Sequence, residues 1–378
     1  MIKKEIKYTY RDLTIVPEKL SMINSRSECN VFYENGMLPI WTAPMIPIVD
    51  KNNAKFFRKN GINTIIPRTN DLQELINNMN SSEWVAMSLK QFEDLFLKND
   101  NNNLSKKIVY NICIDIANAH MNKLYTIIGD VAESYGVDNL NIMIGNIANP
   151  ETYRWICDNM PDMIKYVRVG IGCGAGCTTT SNTGVHYPMA SLVNECYNIK
   201  RFYNDAPKII ADGGIRGYAD VVKALALGAD YVMIGGLFAS ILESAGEIED
   251  LNKCLVKQRD NVYAYKFSEK LITTFNMLSD AEETKRDIIR CGGLMREFYG
   301  MSTKKAQAII KHPNDKLKTS EGRVFNKEIT YTLEQWVDNM KSYLRSAMSY
   351  CGVDNLSYFI GQPTLIVNST LSINAVNK

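Results

Sequence analysis

Cys177 stands in Val169 to Thr183, VGIGCGAGCTTTSNT, where a short apolar run breaks into a glycine-rich loop and the hydroxyls of Thr178, Thr179 and Thr180 follow. A thiol in such a loop has the chemistry of a nucleophile. Gly170, Gly172, Gly174 and Gly176 permit positive φ and close backbone approach, so main chain here can meet a ligand or an ion. A cysteine is more often a small buried hydrophobe; the setting reverses that for Cys177 and leaves the inert reading to most of the others. Cys173 and Cys177 form CxxxC with no second cysteine pair, and the histidines are only His120, His186 and His312, which argues against structural zinc.

A second chemical signal is ADGGIRGYADVVKALALGADYVMIGG. It places Asp212-Gly213-Gly214 and Gly235-Gly236 after two successive apolar runs. Loops of this kind hold phosphate on backbone amides at the mouths of α/β barrels, although the glycines would also serve tight turns. Asp212 is suited to accept hydrogen bonds from a ribose.

The elements that must position these groups are eight apolar runs alternating with amphipathic segments. The runs are Leu38–Ala43, Asn63–Pro67, Trp84–Leu89, Ile108–Asp115, Asn141–Gly145, Tyr166–Gly170, Lys208–Asp212 and Tyr231–Gly235. Helical patterns fall at Asn52–Asn60, Asp71–Met79, Met121–Tyr135, Pro150–Met160, Met189–Tyr203, Tyr218–Leu227 and, near the end, Leu333–Met348. Such a sequence predicts a (β/α)8 TIM barrel forming a single domain over 1–378, with chemistry at the strand C-termini. Asp115 with Asn118, Gly145-Asn146, the cysteine loop, Asp212 and Gly235 all fall there. Residues 248–325 read as an insertion and active-site flap of long loops, 99–107 as a solvated connection, and the tail beyond Ile366 as disordered or at a subunit contact. The 378 residues carry 46% hydrophobic and 22% charged side chains and a formal charge of +2, a globular balance with no call for nucleic acid or a membrane. Nine cysteines and no apolar leader point to a reduced, cytoplasmic protein.

GIGCGAGCTTTSNTGVHYP resembles the signature of the IMP dehydrogenase and GMP reductase family, with Cys177 at the position of its catalytic cysteine. The resemblance extends through ADGGIRGYADVVKALALGADYVMIGG, FYGMS at Phe298 to Ser302 and SRSE at Ser25 to Glu28. It implies a barrel, usually a homotetramer, that binds a purine nucleotide monophosphate and a nicotinamide cofactor. By similarity, Asp212, Gly213, Gly214, Gly235 and Gly236 hold ribose and phosphate, and Met45, Tyr299, Gly300, Met301 and Ser320 surround the nucleotide. Asp115, Asn118 and Asn146 fall beside the cofactor, and carbonyls of Gly172, Gly174 and Cys177 match a loop that binds a monovalent cation such as K+.

Within the family, the chain has no room among its early strands for the inserted pair of regulatory CBS domains that dehydrogenases commonly carry. Thr319-Ser320-Glu321-Gly322 resembles the reductase segment whose glutamate is catalytic, where dehydrogenases have glutamine. No Arg-Tyr pair lies between Met301 and Glu321. Expelling ammonia from C2 of GMP needs a proton, which a carboxyl relayed through Thr179 can supply and an amide cannot. The implied activity is an NADPH-dependent GMP reductase with Cys177, Thr179 and Glu321 as catalytic residues. The alternatives are an IMP dehydrogenase using NAD, or a diverged member that acts on another purine nucleotide or is inactive. Ile46, Pro67-Arg68-Thr69, Thr180 and Ser240-Ile241-Leu242 depart from the family pattern. His186, where relatives have glycine, reads as structural, and the hydroxyls of Thr178 and Thr180 as helix caps.

Overall fold

The computed structural model describes residues 4–80, 83–98, 104–105, 107–250, 254–258, 261–265, 282–290, 293–310 and 316–369. Its centre is a parallel barrel of β1 (Ile40–Thr42), β2 (Ile65–Ile66), β3 (Trp84–Met87), β4 (Tyr110–Asp115), β5 (Leu140–Ile147), β6 (Tyr166–Val169), β7 (Lys208–Asp212) and β8 (Tyr231–Ile234). Each strand pairs with the next, β8 pairs back to β1, and a Trp41–Asn63 bridge closes β1 onto β2. This is the (β/α)8 barrel expected from the alternating runs. The strands are shorter than the apolar runs at most ends because proline and glycine flank them, whereas β5 runs on to Ile147.

Helices α1 (Ala54–Lys59), α2 (Leu72–Asn80), α3 (Leu89–Glu93), α4 (Asn122–Tyr135), α5 (Pro150–Asn159), α6 (Thr179–Thr183), α7 (Met189–Lys200) and α8 (Tyr218–Ala226) follow the strands. Helix α3 was not among the sequence expectations. The last outer helix, α9 (Leu333–Tyr350), starts at a capping box of Thr332 and Gln335. It buries Leu333, Trp336, Val337, Met340, Leu344 and Met348, a helical stripe, and Trp336 meets Phe238 at 4.9 Å and Tyr218 of α8 at 5.4 Å between ring centroids. The chain therefore leaves the barrel after β8 and rejoins it at α9.

Between these points the loop expectation needs correction. Strand β9 (Leu294–Tyr299) pairs antiparallel with β10 (Val324–Glu328) and with Ile248–Asp250. The alternation that sequence reading passed over is in LMREFY, where Leu294, Arg296 and Phe298 are buried, the period of a half-buried strand. Cys254–Gln258 and Asn261–Tyr265 form another antiparallel pair, and Glu282–Arg290 is helical. The remainder of the 248–290 expectation, most of the Asn-rich connection at 99–107, residues 311–315 and the tail at 370–378 lie outside the described residues.

The barrel interior is layered by strand periodicity. Trp41, Trp84, Tyr166 and Tyr231 pack edge to face with centroids 5.3 to 6.1 Å apart, plugging the N-terminal end with aromatic surface. Two residues on from Tyr166, the same inward face of β6 carries Arg168. The polar layer therefore sits toward the C-terminal mouth. Among the described residues no helix is long and apolar enough to cross a membrane.

Candidate active site

The loop after β6 brings Cys177 to the mouth. Gly172 has φ 75° and a Cβ there would overlap the Thr180 hydroxyl, so only glycine fits this turn. The Cys177 thiol lies 3.2 Å from Thr179 Oγ1, and the Thr179 hydroxyl donates to Glu321 Oε2 at 2.6 Å. Glu321 is 142 residues from Thr179 in sequence. It is held by main chain: Thr178 N–H donates to Glu321 O at 2.8 Å, Cys177 and Gly322 form an antiparallel bridge, and Arg323 N–H donates to Gly176 O at 2.9 Å. Gly300 packs so closely that a Cβ on it would stand 2.5 Å from Gly176 O. Thiol, hydroxyl and carboxylate thus form one hydrogen-bonded line, able to take a proton from sulfur or deliver one beside it.

Three other described thiols offer less. Burial pushes Cys113 up to about 11, Cys157 to about 11 and Cys173 to about 12, with Asp212 and Cys177 adding to the rise at Cys173. They remain protonated and inert at neutral pH. His186 Nδ1 lies 3.2 Å from Ile171 O and 3.7 Å from Cys173 Sγ, so the histidine props the loop. Thr178 sits at the start of α6 without a side-chain cap bond, and Thr180 Oγ1 instead donates to Gly172 O at 3.2 Å. Neither caps the helix as expected. Gly174 O accepts Cys177 N–H at 3.0 Å, so two of the three carbonyls considered for a cation each have one lone pair engaged.

At the mouths of β4, β5 and β7 the expected residues Asp115, Asn146 and Asp212 are joined into a charged knot by Arg168, which sequence reading missed. Arg168 donates to Asp115 Oδ1 at 2.8 Å and to Asn146 Oδ1 at 2.5 Å, and its Nε is 3.2 Å from Asp212 Oδ2. Asn146 Nδ2 reaches Asp212 Oδ2 at 2.8 Å and Gly170 O at 2.7 Å, while Arg68 Nε pairs with Asp115 at 3.2 Å. Burial would raise the Asp115 carboxyl, but Arg168 and Arg68 more than offset it and hold it below the usual range. Asp212 is the opposite case: burial dominates and leaves it raised despite Arg168 and Asn146. The signal for Arg168 was legible, because a charge inside an apolar strand must find partners.

Of the remaining expected residues, Gly213 and Gly214 have φ 102° and 75°, and Gly214 N–H donates to Cys173 O at 3.0 Å. The loop after β7 is thereby tied to the cysteine loop. A Cβ on Gly236 would stand 3.1 Å from that of Ala175, and one on Gly235 2.9 Å from Met45 Sδ. Gly235, Gly236 and Met45 therefore gather beside the cysteine loop. The Ser320 hydroxyl turns onto Gly322, next to Glu321. Tyr299 closes β9 under Lys305, 5.2 Å from its ring centroid, and Gly300-Met301 follow. Asn118 is exposed, with Oδ1 accepting His120 N–H at 3.1 Å.

The sequence pattern of the IMP dehydrogenase / GMP reductase domain matches residues 7–261. GMP reductase of Buchnera aphidicola subsp. Schizaphis graminum is 29% identical over 354 residues, 86% of this chain and 98% of that protein. GMP reductase of Helicobacter pylori (strain ATCC 700392 / 26695) is 32% identical over 265 residues, covering 66% and 76%. GMP reductase 2 of Bos taurus is 29% identical over 326 residues, covering 78% and 89%.

Proposed function

This chain belongs to the IMP dehydrogenase / GMP reductase family, and we propose that it acts as a GMP reductase, converting GMP to IMP and ammonia. The observation that carries the reading is the Cys177–Thr179–Glu321 line, at 3.2 and 2.6 Å. The Cys177 thiol passes its proton toward Glu321 through Thr179, and sulfur bonds to C2 of the purine. The same carboxyl returns a proton to the exocyclic amine, so the C2–N bond breaks and ammonia leaves. Bound on the Asn118 and Arg68 side of the mouth, NADPH would supply the hydride for the C2–H bond, and Cys177 leaves C2 as the thiolate, releasing IMP. A glutamine at position 321 could not titrate in this way, which favours the reductase over an IMP dehydrogenase.

Asp212 takes the ribose, and Gly213, Gly214, Gly235, Gly236, Tyr299, Gly300, Met301, Ser320 and Met45 enclose the nucleotide. The exposed amide of Asn118 and the guanidinium of Arg68 fit a cofactor that is polar and anionic; Asp115 and Asn146 position this side of the mouth through Arg168. A monovalent cation such as K+ on Gly172, Gly174 and Cys177 carbonyls would show as K+-dependent turnover. The enzyme is a cytoplasmic homotetramer in this reading, and light scattering measures its assembly.

The test mixes the protein with GMP and NADPH, following absorbance at about 340 nm, the reduced nicotinamide band, together with ammonia release. IMP with NAD is the counter-assay. Cys177→Ala should abolish turnover with GMP binding largely kept. Glu321→Gln should slow ammonia release more than hydride transfer. Turnover retained without Cys177 would overturn the assignment, and a uniform loss of GMP binding in Glu321→Gln would reduce that residue to a positioning role.

A further inference from the structure

Lys327 is a cation that the chemistry above does not use. It lies on β10, where the exposed residues Val324, Asn326 and Glu328 alternate with the half-buried Phe325 and Lys327, so the latter two face the barrel. Phe325 packs on Phe298 at 5.2 Å between centroids, and Lys327 Nζ donates to Gly236 O at 2.6 Å. Burial lowers the lysine's pKa with no carboxylate among the described residues acting against it. An ammonium has three N–H donors, and that carbonyl is one acceptor.

The cross-strand partner deepens the imbalance. In the β9–β10 register Lys327 lies opposite Arg296, and opposed residues of an antiparallel pair share a face, where like charges repel. Arg296 is fully buried and spends its guanidinium on main-chain carbonyls of Leu242, Ser244 and Gly246. Those carbonyls engage its terminal nitrogens, and the carboxylate that favours its charge, Glu243, does not act on Lys327. Two cations thus face the chain leaving β8, at the point where Gly236 meets Ala175 of the cysteine loop and Phe298 of β9.

We propose that Lys327 supplies the positive charge that binds the substrate's phosphate, against the amides of the Gly235–Gly236 loop, making it a specificity-determining residue for nucleotide over nucleoside. This deepens the reductase reading and rests on it for the identity of the purine. The phosphate dianion would accept the lysine donors that Gly236 O leaves over, in surroundings dry enough to make a charge-assisted bond strong.

The experiment compares the full-length protein with Lys327→Met and Lys327→Arg, measuring binding of GMP, guanosine and inorganic phosphate by calorimetry, with steady-state KM and kcat. Lys327→Met should weaken GMP by roughly ten- to a hundredfold, the size of one charged hydrogen bond. Guanosine binding and kcat at saturation should change little, and phosphate should no longer compete with GMP. Lys327→Arg should restore most of the preference for GMP. Equal losses for GMP and guanosine would show that Lys327 only props the Gly236 loop and would overturn the proposal, as would unchanged GMP and phosphate binding in a folded Lys327→Met protein. Wild type that binds phosphate through Lys327 but does not reduce GMP would sink the reductase reading and leave the phosphate assignment standing.

Discussion

Replacing Arg168 by methionine removes the single cation shared by Asp115 and Asp212 while keeping much of the side-chain volume. The side chains of Arg168, Asp115 and Asp212 are 5%, 14% and 20% exposed, so screening by water discounts their pairing little. Breaking a buried pair by deleting one partner costs about 3–5 kcal/mol, because the remaining charge is left uncompensated. Arg68 still pairs with Asp115 at 3.2 Å, so we expect the lower half of that range. Asp212 keeps only Asn146 among its charge-stabilising partners, and burial already raises it. It should take up a proton in the variant and bind ribose less well. Urea unfolding at fixed protein concentration, near pH 7.5, reads the stability term, and KM for GMP reads the site. Asp212→Asn in the Arg168→Met background should cost less than it does in wild type, because the second change then removes an orphaned carboxyl. A loss under about 1 kcal/mol, the scale of an exposed pair, with strictly additive double-mutant energies, would refute the view that Arg168 fixes both carboxylates.

The two carboxyls also give stability opposite pH signatures. Asp212 is raised above 3.8, so its contribution is complete below about pH 3.8 and is lost as pH rises through the raised value; Asp115 is lowered, so its contribution is present above about pH 3.8 and lost as pH falls through the lowered value. In Asp212→Asn the decline on the rising side should vanish while the acid-side loss from Asp115 persists. Unfolding free energies from about pH 2 to 6 check both sides, and parallel curves for variant and wild type would contradict it. Gly176→Ala places a methyl 3.0 Å from Phe298 Cε1 and 3.1 Å from Gly300 N, wedging the cysteine loop from the end of β9. The Gly176–Arg323 bond should open, with turnover falling by up to about tenfold, the cost of one lost hydrogen bond beside the Cys177–Thr179–Glu321 line, and Cys177 alkylating faster; unchanged turnover and alkylation would show that the loops need no such closeness.

Much of this protein is written locally. Apolar runs of strand length spaced by amphipathic segments suffice to specify the barrel, since a buried parallel strand and its covering helix each declare themselves within a dozen residues. The cysteine loop and the Gly-Gly pairs are equally local, because a turn that only glycine can make is visible in the chain itself. The approximate position of α9 followed from its apolar stripe. The β9–β10 sheet was not legible, because its pairing joins segments separated by a long excursion and its alternation covers few residues.

Sequence by itself therefore determined the barrel, the loop that presents Cys177 and, through motif resemblance, the pairing of that thiol with Glu321. Tertiary structure alone decided how these groups meet: that the expected relay through Thr179 closes at 3.2 and 2.6 Å, that Asp115 and Asp212 share Arg168, and that Lys327 comes to Gly236. Each of these depends on barrel closure or on the return of the chain after β8. Electrostatic consequence depends on distance and burial, and neither is encoded in the spacing of residues along the chain.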